Sequence, residues 1–573
     1  MAVVQISRIQ VRRGQKTVTG LPQLASGELA WAVDTQQLYI GNGSVAEGSP
    51  AVGNTQILTE RDLSANGTIL NLLKYQYKAQ DGSITTGNDA NHPVSRSIQD
   101  RLDDRVSLAD FITTDDTQAN DYTAPMQRAI DQLFLNSPKA SGVYGSVKRV
   151  VLEVPAGTYP ITDTLYIPSY ATIKGAGSQK TILSYTGTGS ILTFVNDSST
   201  IGNPNVSATD STNNPKFISV QGFTLYTATN NTTAININTL TDSVLDDLLI
   251  KGTWTSGATG SRGIDLNAVS TVITTRRNTF KNITMYGFEC AVFSNADIVD
   301  NTFDNFTVGD INDNGVGIKQ GFVFGSITLD TGSTLGPYRN VIKNSKFYKV
   351  AQQGVYIGTG TGNSVKDCKF SYVGNDSGAP SSPIYPQIYF KQHGNNSINN
   401  EFDRQALLTT TTATPYIAEV TGNGEYNSFG TYRVSLTNTG TDTDPTIHMA
   451  FRLPVPTTDS GSPTGQVSYI VNYVYHSTGS GFIRQGTLNI AADATLNHTY
   501  KQLSDEFNFA GPADPSGFSE YQLSFFVRFL NSNGTTHTGT GSPYSIAVNY
   551  LNPLSGDQGT LTFSYHAVFN QAV

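Results

Sequence analysis

A short pattern recurs five times in the middle of this 573-residue chain. The eight-residue segments that carry it begin at Asn278, Asn301, Asn340, Asn363 and Asn396. In each segment the first residue is Asn, the third is apolar, and the fifth is Asn or Asp. Two of the intervals, from 278 to 301 and from 340 to 363, are 23 residues, and the other two are longer. The pattern therefore predicts a solenoid whose coils are about 23 residues long, with insertions that loop out.

Within each copy the apolar positions alternate with polar ones, which is the period of a β-strand. Short strands with Asn and Gly corners are typical of a parallel β-helix, because a coil buries its inner face only when its neighbours stack on it. Weaker copies begin at Ile218 and Ser243, and the last copy places Asp403 at the usually apolar eighth position, where we expect the helix to end. We expect the first and fifth positions to occupy left-handed corners and to hydrogen-bond to the like residue one coil away, a structural role.

Composition excludes several classes of protein. Charged residues are 14% of the chain, the net charge is −9, and no Lys/Arg cluster continues beyond Arg12 and Arg13, so we expect no nucleic-acid partner. Two cysteines, Cys290 and Cys368, are too few for a disulfide framework or a cysteine-rich metal site, and we expect no metal or cofactor. No apolar run approaches 18 residues and no signal-peptide pattern precedes the first strand, so we expect no membrane span and no standard secretion signal.

Residues 1–60 form a predicted small β module with strands near Ile6, Glu28 and Gln37. Its phrases Gly27-Glu28-Leu29-Ala30-Trp31 and Leu38-Tyr39-Ile40-Gly41-Asn42-Gly43 resemble the N-terminal modules of phage tail fibres and receptor-binding proteins. That resemblance implies attachment to the virion, through tail, baseplate or adaptor proteins. A polar connector is predicted for residues 61–105.

The connector ends in a phrase similar to the neck that precedes the β-helix of many phage tailspikes. The matching residues are Arg96, Ser97, Ile98, Gln99, Arg101, Leu102, Asp104, Val106, Ser107, Asp110 and Phe111. The commonest form of this neck has Gly-Ala after the Phe, which this chain lacks, so the resemblance leaves the first turn open.

A helix is predicted near residues 124–135, with Thr123 as its N-cap, Pro125 just inside, and an apolar stripe. The stripe consists of Met126, Ala129, Ile130, Leu133 and Phe134. We expect it to cover the open end of the solenoid. The phrase Pro155-Ala156-Gly157-Thr158-Tyr159 then resembles the opening of pectate-lyase-like right-handed β-helices. Together these features predict an all-β fold: a right-handed parallel β-helix over residues 106–430.

Residues 431–573 lack the repeat and contain longer alternating strands. Six are predicted, over 446–451, 467–475, 482–490, 521–529, 545–550 and 561–569. This spacing is typical of a β-sandwich or jelly roll. On a tailspike such a module would lock a trimer or bind host glycan, and both alternatives stay open.

No Gly-x-Ser-x-Gly or His-Glu-x-x-His motif occurs. Because the resemblance implies a polysaccharide, carboxylates on an outer face are the candidate catalytic groups. Glycosidases hold two carboxyl groups about 5–9.5 Å apart, and strands stacked about 4.8 Å apart satisfy that easily. The densest acidic region predicts Glu289, Asp297, Asp310 and Asp313 as catalytic candidates. For all four residues the alternative is a non-catalytic role, in which the acid caps a corner of a coil or lies in solvent.

Three aromatic residues are candidates for sugar binding. Tyr356 and Tyr389 each stand seven residues before a repeat Asn, so we expect them to stack outward on successive coils, under either a sugar or a neighbouring subunit. Trp254 lies in a Gly-rich loop, where it either stacks on a sugar or covers the edge of a coil.

The leading hypothesis is a homotrimeric phage tailspike in the virion tail that acts at the host cell surface. It would bind a host surface polysaccharide, which is either lipopolysaccharide O-antigen or capsule. Whether it also cleaves this polymer, as an endo-acting glycoside hydrolase, stays open. The alternative is a receptor-binding or structural tail fibre that cuts nothing. A secreted pectinase-like lyase would require a signal peptide and a clustered Ca²⁺-binding acid set, and the sequence shows neither.

Overall fold

The computed structural model describes residues 11–16, 20–43, 45–47, 53–57, 59, 73–75, 96–135, 150–206, 213–229, 231–255, 259–267, 274–309, 317–325, 336–374, 387–390, 395–403, 420–421, 424–437, 449–454, 466–477, 483–493, 501–510, 523–530, 536, 545–551 and 558–570. The chain divides into two compact units, Met1–Val106 and Ser107–Val573.

A four-stranded sheet forms the first unit's core. Its strands are β1 (Arg12–Gly14), β2 (Leu29–Ala32), β3 (Gln37–Gly41) and β4 (Asn54–Ile57), in chain order, with β1 and β2 parallel and the other pairs antiparallel. Leu24, Ala30, Ala32 and Tyr39 are its buried apolar residues. Gly41 has no space for a Cβ, because the Ala25 carbonyl and the Leu24 side chain occupy it. The predicted strands near Glu28 and Gln37 are confirmed, whereas the one predicted from Ile6 begins outside the described residues.

The rest of this unit contains β5 (Lys74–Tyr75), β6 (Arg96–Ser97) and helix α1 (Ile98–Leu102), and β5 pairs with β6. Two residues of the neck phrase meet here. The Arg96 guanidinium donates two hydrogen bonds, of 2.8 and 3.0 Å, to the Asp104 carboxylate. This bidentate geometry fixes the direction of the chain after α1.

Two capping boxes follow strand β7 (Arg105–Ser107). At the 3₁₀ turn Leu108–Phe111, the Ser107 hydroxyl accepts from the Ala109 amide and the Asp110 carboxylate accepts from the Ser107 amide, both at 3.2 Å. Helix α2 (Thr114–Ala119) is capped in the same way by Thr113 and Asp116. The Ser and Asp of the neck phrase therefore have a local role, which is to terminate β7 and start a helical turn.

Helix α3 (Thr123–Ile130) continues into a π-helical turn at Asp131–Leu135, which confirms the predicted helix. The N-cap is Tyr122 rather than Thr123, and no side chain caps from that position. Instead, Asp121 accepts from the Thr123 amide at 3.0 Å and from its hydroxyl at 2.7 Å. Gln127 bonds both the amide (2.9 Å) and the carbonyl (3.2 Å) of Tyr166. The helix therefore covers the first coil and satisfies a backbone edge that would otherwise be open.

The coils use strands that are all parallel to their neighbours. In chain order the strands are β8 (Val151–Val154), β9 (Gly157–Ile161), β10 (Leu165–Ile167), β11 (Thr172–Gly175), β12 (Thr181–Tyr185), β13 (Ser190–Phe194), β14 (Ser219–Thr227), β15 (Thr233–Ile237), β16 (Val244–Lys251), β17 (Arg262–Leu266), β18 (Thr275–Arg276), β19 (Thr279–Tyr286), β20 (Cys290–Ser294), β21 (Ile298–Val299), β22 (Thr302–Val308), β23 (Gln320–Phe324), β24 (Val341–Lys343), β25 (Lys346–Tyr348), β26 (Val355–Ile357), β27 (Ser364–Lys366), β28 (Lys369–Ser371), β29 (Ile388–Phe390), β30 (Asn395–Asp403) and β31 (Val420–Thr421).

Apart from β18 and β21, which pair with each other, these strands form two long parallel sheets around one apolar core. The sheet β10-β13-β15-β17-β20-β23-β26-β29-β31, here called the face sheet, takes one short strand from each coil. The second, here called the corner sheet, contains the repeat itself in β19, β22, β24, β25, β27, β28 and β30. The third-position residues Phe280, Phe303, Ile342 and Val365 align in register and are fully buried. The predicted parallel β-helix is confirmed.

The first-position Asn residues form a buried ladder. Asn278, Asn301, Asn340 and Asn363 each donate from Nδ2 and from the backbone amide to Oδ1 of the next Asn, at 2.9–3.0 Å. Each Nδ2 also donates to a backbone carbonyl of the preceding coil. The predicted contact between like residues is confirmed.

Left-handed backbone is found at the fifth position but not at the first. Asn282, Asn305 and Asn344 have φ of 55°, 56° and 52°. At the other corner the left-handed residue is the one before the repeat Asn, as in Arg277 (φ 55°) and Arg339 (φ 53°), so that part of the prediction is wrong. The first-position Asn residues keep an ordinary backbone, and their side chains form the ladder.

The register of the fifth copy is also corrected. Asn395, not Asn396, accepts from Asn363 and continues the ladder. Ser397 is then the inward third-position residue, Ile398 is 37% exposed, and Asn399 (φ 54°) takes the left-handed corner. The β-helix does not end at Asp403, because β30 pairs in parallel with a further strand, β32 (Gly424–Thr437).

The C-terminal region consists of two antiparallel sheets. The remaining strands are β33 (Met449–Pro454), β34 (Gln466–Ser477), β35 (Ile483–Asp493), β36 (Lys501–Ala510), β37 (Ser524–Leu530), β38 (Ser545–Leu551) and β39 (Gln558–Asn570). One sheet has the order β32-β39-β34-β35-β36 and the other β33-β38-β37. Rings meet between them, as in Phe451 on Phe563 at 4.1 Å and Tyr473 against Phe525 at 5.2 Å. This arrangement is a β-sandwich.

All six predicted C-terminal strands are present, and β36 is an additional one. Strand β32 pairs with β30 on one side and with β39 on the other. The boundary predicted between residues 430 and 431 therefore falls inside a strand that belongs to both the β-helix and the sandwich.

Candidate functional site

The outer surface of the face sheet carries a row of side chains in register. Asp265, Phe293, Val323, Tyr356 and Tyr389 occupy equivalent positions on five successive coils. Their neighbours along each strand, such as Ile264 and Val292, are buried in the core. Val323 and Tyr356 form a separate apolar cluster with Cys290, against which Phe293 and Tyr389 pack. The coils thus present an apolar and aromatic strip outside the core.

Tyr356 and Tyr389 are brought together as predicted. Their ring centroids are 5.3 Å apart with an interplanar angle of 62°. Tyr356 is only 2% exposed, whereas Tyr389 is partly exposed. Tyr389 is therefore the more accessible of the two rings, and a role for either in binding stays a prediction.

A charged cluster lies at the Phe293 end of this strip. The Arg262 guanidinium is 2.6 Å from an Asp265 carboxylate oxygen and its carbon lies 3.6 Å from the centroid of the Phe293 ring. One coil further, Lys319 Nζ is 2.8 Å from Glu289 Oε1. The other Glu289 oxygen accepts from the Gly260 amide at 2.5 Å. The cluster thus contains two acidic and two basic residues from three successive coils. Arg262 and Asp265 lie in β17, and Glu289 and Lys319 directly precede β20 and β23.

The two carboxyl groups of this cluster have pKa values shifted in opposite directions. Burial raises the pKa of Asp265, although Arg262 and Asn267 oppose the shift, and its Oδ1 atom is buried. Burial also acts on Glu289, but Lys319, the Gly260 amide and Arg262 together lower its pKa. A pair of acids whose environments separate their pKa values is the arrangement from which acid–base roles are assigned.

Two other predicted residues, Asp297 and Trp254, do not join this cluster. Asp297 is 5% exposed, accepts a hydrogen bond from the Gly336 amide, and has a pKa raised by burial, so it ties two coils together. Trp254 is 9% exposed and lies over Gly317, where an added Cβ would be 3.4 Å from its ring, so it covers a coil edge. Asp310 and Asp313 lie outside the described residues.

Sequence reasoning missed Arg262, Asp265, Phe293 and Lys319. A signal was present in β17, where Arg262 and Asp265 are three apart and Asp265 alternates with buried Ile264 and Leu266. A charged residue at the outward position of an otherwise apolar strand identifies the outer face. The proximity of Arg262 to Glu289 could not be predicted from either segment alone. It depends on how successive coils stack, and the repeat copies that mark the coils are unequally spaced.

Within the described ranges, no group of three or more His, Cys, Asp or Glu residues is placed to hold a metal ion. In the same part of the chain, no helix is both long and apolar enough to cross a membrane.

No known protein family matches the sequence, and neither does any curated protein. The chain is similar to several solved structures, at low sequence identity. Geobacillus virus E2 ORF18 is 14% identical, with a TM-score of 0.33, and the alignment covers 93% of this chain and 100% of that one. The tailspike protein gp49 of Acinetobacter baumannii bacteriophage Fri1, a capsular polysaccharide depolymerase, is 9% identical, with a TM-score of 0.32 and coverage of 98% and 100%. PfbA, a surface adhesin of Streptococcus pneumoniae, is 12% identical, with a TM-score of 0.31 and coverage of 70% and 98%. Phage tailspikes, which the neck phrase resembles, are thus among the proteins to which this chain is similar, at low identity and over most of its length.

Proposed function

We propose that this chain is a phage tailspike. Residues 1–60 attach it to the virion through tail, baseplate or adaptor proteins, it assembles as a homotrimer, and its β-helix binds a host surface polysaccharide, O-antigen or capsule. The tail of the virion is then its location and the host cell surface its place of action. The neck phrase and the first module support the attachment, because both resemble the corresponding parts of phage tail proteins.

The observation that carries the polysaccharide role is the outer surface of the face sheet. It combines two partly exposed rings, Phe293 and Tyr389, which pack on the buried Val323 and Tyr356, with a charged cluster. That cluster consists of Arg262, Asp265, Glu289 and Lys319. Aromatic faces stack on sugar rings while charged groups bond their hydroxyls, and pockets that orient ligands use this mixture. The strip spans several coils, which suits a polymer better than a small molecule.

We propose further that the site cleaves this polymer as an endo-acting glycoside hydrolase. Asp265 would protonate the glycosidic oxygen, and the burial that raises its pKa supports this role. Glu289, whose ion pair with Lys319 lowers its pKa, would act as base or nucleophile. Arg262 lies against Asp265 and would stabilise the carboxylate once the proton has left.

A receptor-binding fibre that cuts nothing is the second candidate, and a specific observation favours it. Both oxygens of Glu289 are already engaged, by Lys319 and by the Gly260 amide. A carboxylate whose two oxygens are both bonded within the protein is also expected of a residue with a purely structural role. The two candidates therefore differ in whether Glu289 exchanges these partners for a substrate.

The test is to incubate the full chain with purified host polysaccharide and follow the size of the sugar. Cleavage predicts shorter fragments from the wild type, and a rate reduced about 10²–10⁴-fold in Asp265→Asn and Glu289→Gln. Asp297→Asn is the matched control, since Asp297 lies away from the cluster. Binding without shortening would eliminate the hydrolase and retain the receptor-binding fibre. No binding to O-antigen or capsule would eliminate both.

A further inference from the structure

A polar groove lies beside helix α3, away from the charged cluster. Its volume is about 420 Å³, within the range of small-molecule sites, about 300–1,000 Å³. It is lined by Asp121, Gln127, Asp131, Thr162, Asp163 and Tyr166, among others. Helix α3 with its π-helical turn forms one wall, and the first coils of the face sheet form the other.

The lining is acidic and has no basic counterpart. Asp121, Asp131 and Asp163 line the groove, and none of the described residues that line it is Lys, Arg or His. Hydroxyl groups from Thr123, Thr162, Thr164, Ser199 and Thr200 complete the polar surface. An anionic ligand would be repelled here, whereas a neutral molecule rich in hydroxyl groups finds acceptors on both walls.

Two of the acids have different roles. Asp121 uses both oxygens within the protein, bonding the Thr123 amide and hydroxyl through Oδ1 and the Thr162 hydroxyl through Oδ2 at 2.6 Å. These bonds lower its pKa, although burial opposes them. Asp121 is therefore a fixed part of the frame that holds α3 against the first coil.

Asp131 is 8% exposed, and Gln127 donates to its Oδ1 at 2.8 Å. Its Oδ2 receives no hydrogen bond from the described residues. Burial raises the pKa of Asp131, although the hydrogen bond from Gln127 opposes the shift. The Oδ2 atom is not among the buried atoms that lack a partner, so it reaches the solvent of the groove and can bond a ligand there.

Tyr166 provides a ring on the opposite wall. Gln127 bonds both its amide and its carbonyl, so its backbone is fixed. The side chain lies in the outward column of the face sheet, because its neighbours Leu165 and Ile167 are buried in the core. A sugar ring in the groove would therefore have an aromatic ring on one side and Asp131 on the other.

We propose that this groove binds one neutral sugar unit, with Asp131 bonding a sugar hydroxyl and Tyr166 contacting the ring. The sugar would be a unit of the host polysaccharide, so this inference rests on the proposed function. The groove lies at the first coils, while the charged cluster begins at β17, so the polymer would contact the face sheet at two separate places.

The test uses saturation-transfer NMR of the full chain with D-glucose, D-galactose and D-mannose, and with D-glucuronate as the charged mismatch. We expect a signal from at least one neutral sugar and none from glucuronate. Thr164→Trp fills the groove and should abolish the signal, whereas Thr279→Trp, a half-buried position on the corner sheet, should retain it. Asp131→Ala should weaken binding about tenfold or more, and Asp131→Asn, which keeps the Gln127 contact and supplies an N–H donor, should restore most of it.

Absence of a signal from all three neutral sugars, an equal signal from glucuronate, or binding that survives Thr164→Trp would overturn the proposal. Circular dichroism of each variant establishes that it is folded. Retention of host polysaccharide is measured in parallel: if the wild type retains the polymer and no monosaccharide binds the groove, the groove proposal fails while the proposed function stands. If the groove binds a sugar and no polymer is retained, sugar binding by the groove stands and the proposed function fails.

Discussion

The β-helix and the C-terminal sandwich share strand β32 but use buried polar groups differently. In the β-helix, the polar core is a ladder of neutral amides, each bonding the next and a backbone carbonyl. Among the described residues of the sandwich, the prominent buried polar contact is the ion pair between Arg484 and Asp505. A repeated coil can distribute its polar interactions over every turn, whereas an antiparallel sandwich concentrates them at one point. The sandwich should therefore be the more sensitive to one substitution.

Arg484→Met should have the largest effect. Arg484 is 1% exposed, bonds Tyr473 Oη at 2.8 Å and the Leu523 carbonyl, and stacks on Phe507 at 3.6 Å. Its loss leaves Asp505, whose side chain is 15% exposed, without its cation, which should lower the free energy of unfolding of the sandwich by about 3 kcal/mol. Urea denaturation followed by tyrosine fluorescence measures this. The double variant Arg484→Met/Asp505→Leu removes both charges and should recover most of the loss; equal destabilisation in both variants would show that the ion pair is not the cause.

Asn301→Ala should have the next largest effect, within the β-helix. It leaves the Asn278 amide and the Thr275 carbonyl without side-chain partners inside the core, which should cost about 2–3 kcal/mol. The matched control is Asn305→Gly, at a left-handed corner where glycine is unstrained, and its cost should stay below about 1 kcal/mol. Urea midpoints of the two variants give the comparison, and similar losses would argue against the ladder as the dominant polar interaction.

Gln127→Ala compares the two ends of the face sheet. The first strand is closed by one side chain, since Gln127 holds both backbone groups of Tyr166, whereas the corner sheet at the other end continues into β32. We expect a loss of about 1–2 kcal/mol and faster amide exchange at Tyr166 and its neighbours. Exchange that accelerates equally in β30 would mean that the ends are not independent.

The smallest effect separates the two sheets by pH. A hydrogen bond from Arg339 lowers the pKa of Asp300 at the corner, so its stabilisation is present above the unfolded pKa and lost as pH falls through the folded one. Burial raises the pKa of Asp265 on the face sheet, so its contribution to stability falls as pH rises through that pKa. Between pH 3 and pH 7, Asp300→Asn should therefore become more destabilising relative to wild type, and Asp265→Asn less so. Urea midpoints at both pH values test these opposite signs.

Much of the fold was predictable because the coils repeat. The third-position residues Phe280, Phe303 and Ile342 predicted the inward column, and the Asn residues predicted the ladder. The fifth copy failed because Asn395, Asn396, Asn399 and Asn400 allow two registers, and only pairing with β27 selects between them. In the sandwich, alternation located the strands, but nothing local predicted that β32 would also pair with β30.

The candidate site was predictable in part. Tyr356 and Tyr389 were identified from their spacing and Glu289 from the density of acidic residues around it, and all three belong to the face sheet or its corner. Asp265 and Arg262 were missed because their relation to Glu289 crosses coils separated by an insertion. Asp297 was chosen for its density of acidic neighbours in sequence, but its local environment makes it a backbone acceptor.

The measurement that tests the central claim most directly is hydrogen–deuterium exchange of the full chain with and without host polysaccharide. Each coil contributes one strand to the face sheet and one or two to the corner sheet, so the comparison is made within the same molecule. We predict slower exchange in β17, β20 and β23 with polysaccharide bound, and unchanged exchange in β19 and β22. Protection confined to the sandwich strands, or no protection anywhere, would contradict the assignment of polysaccharide binding to the face sheet.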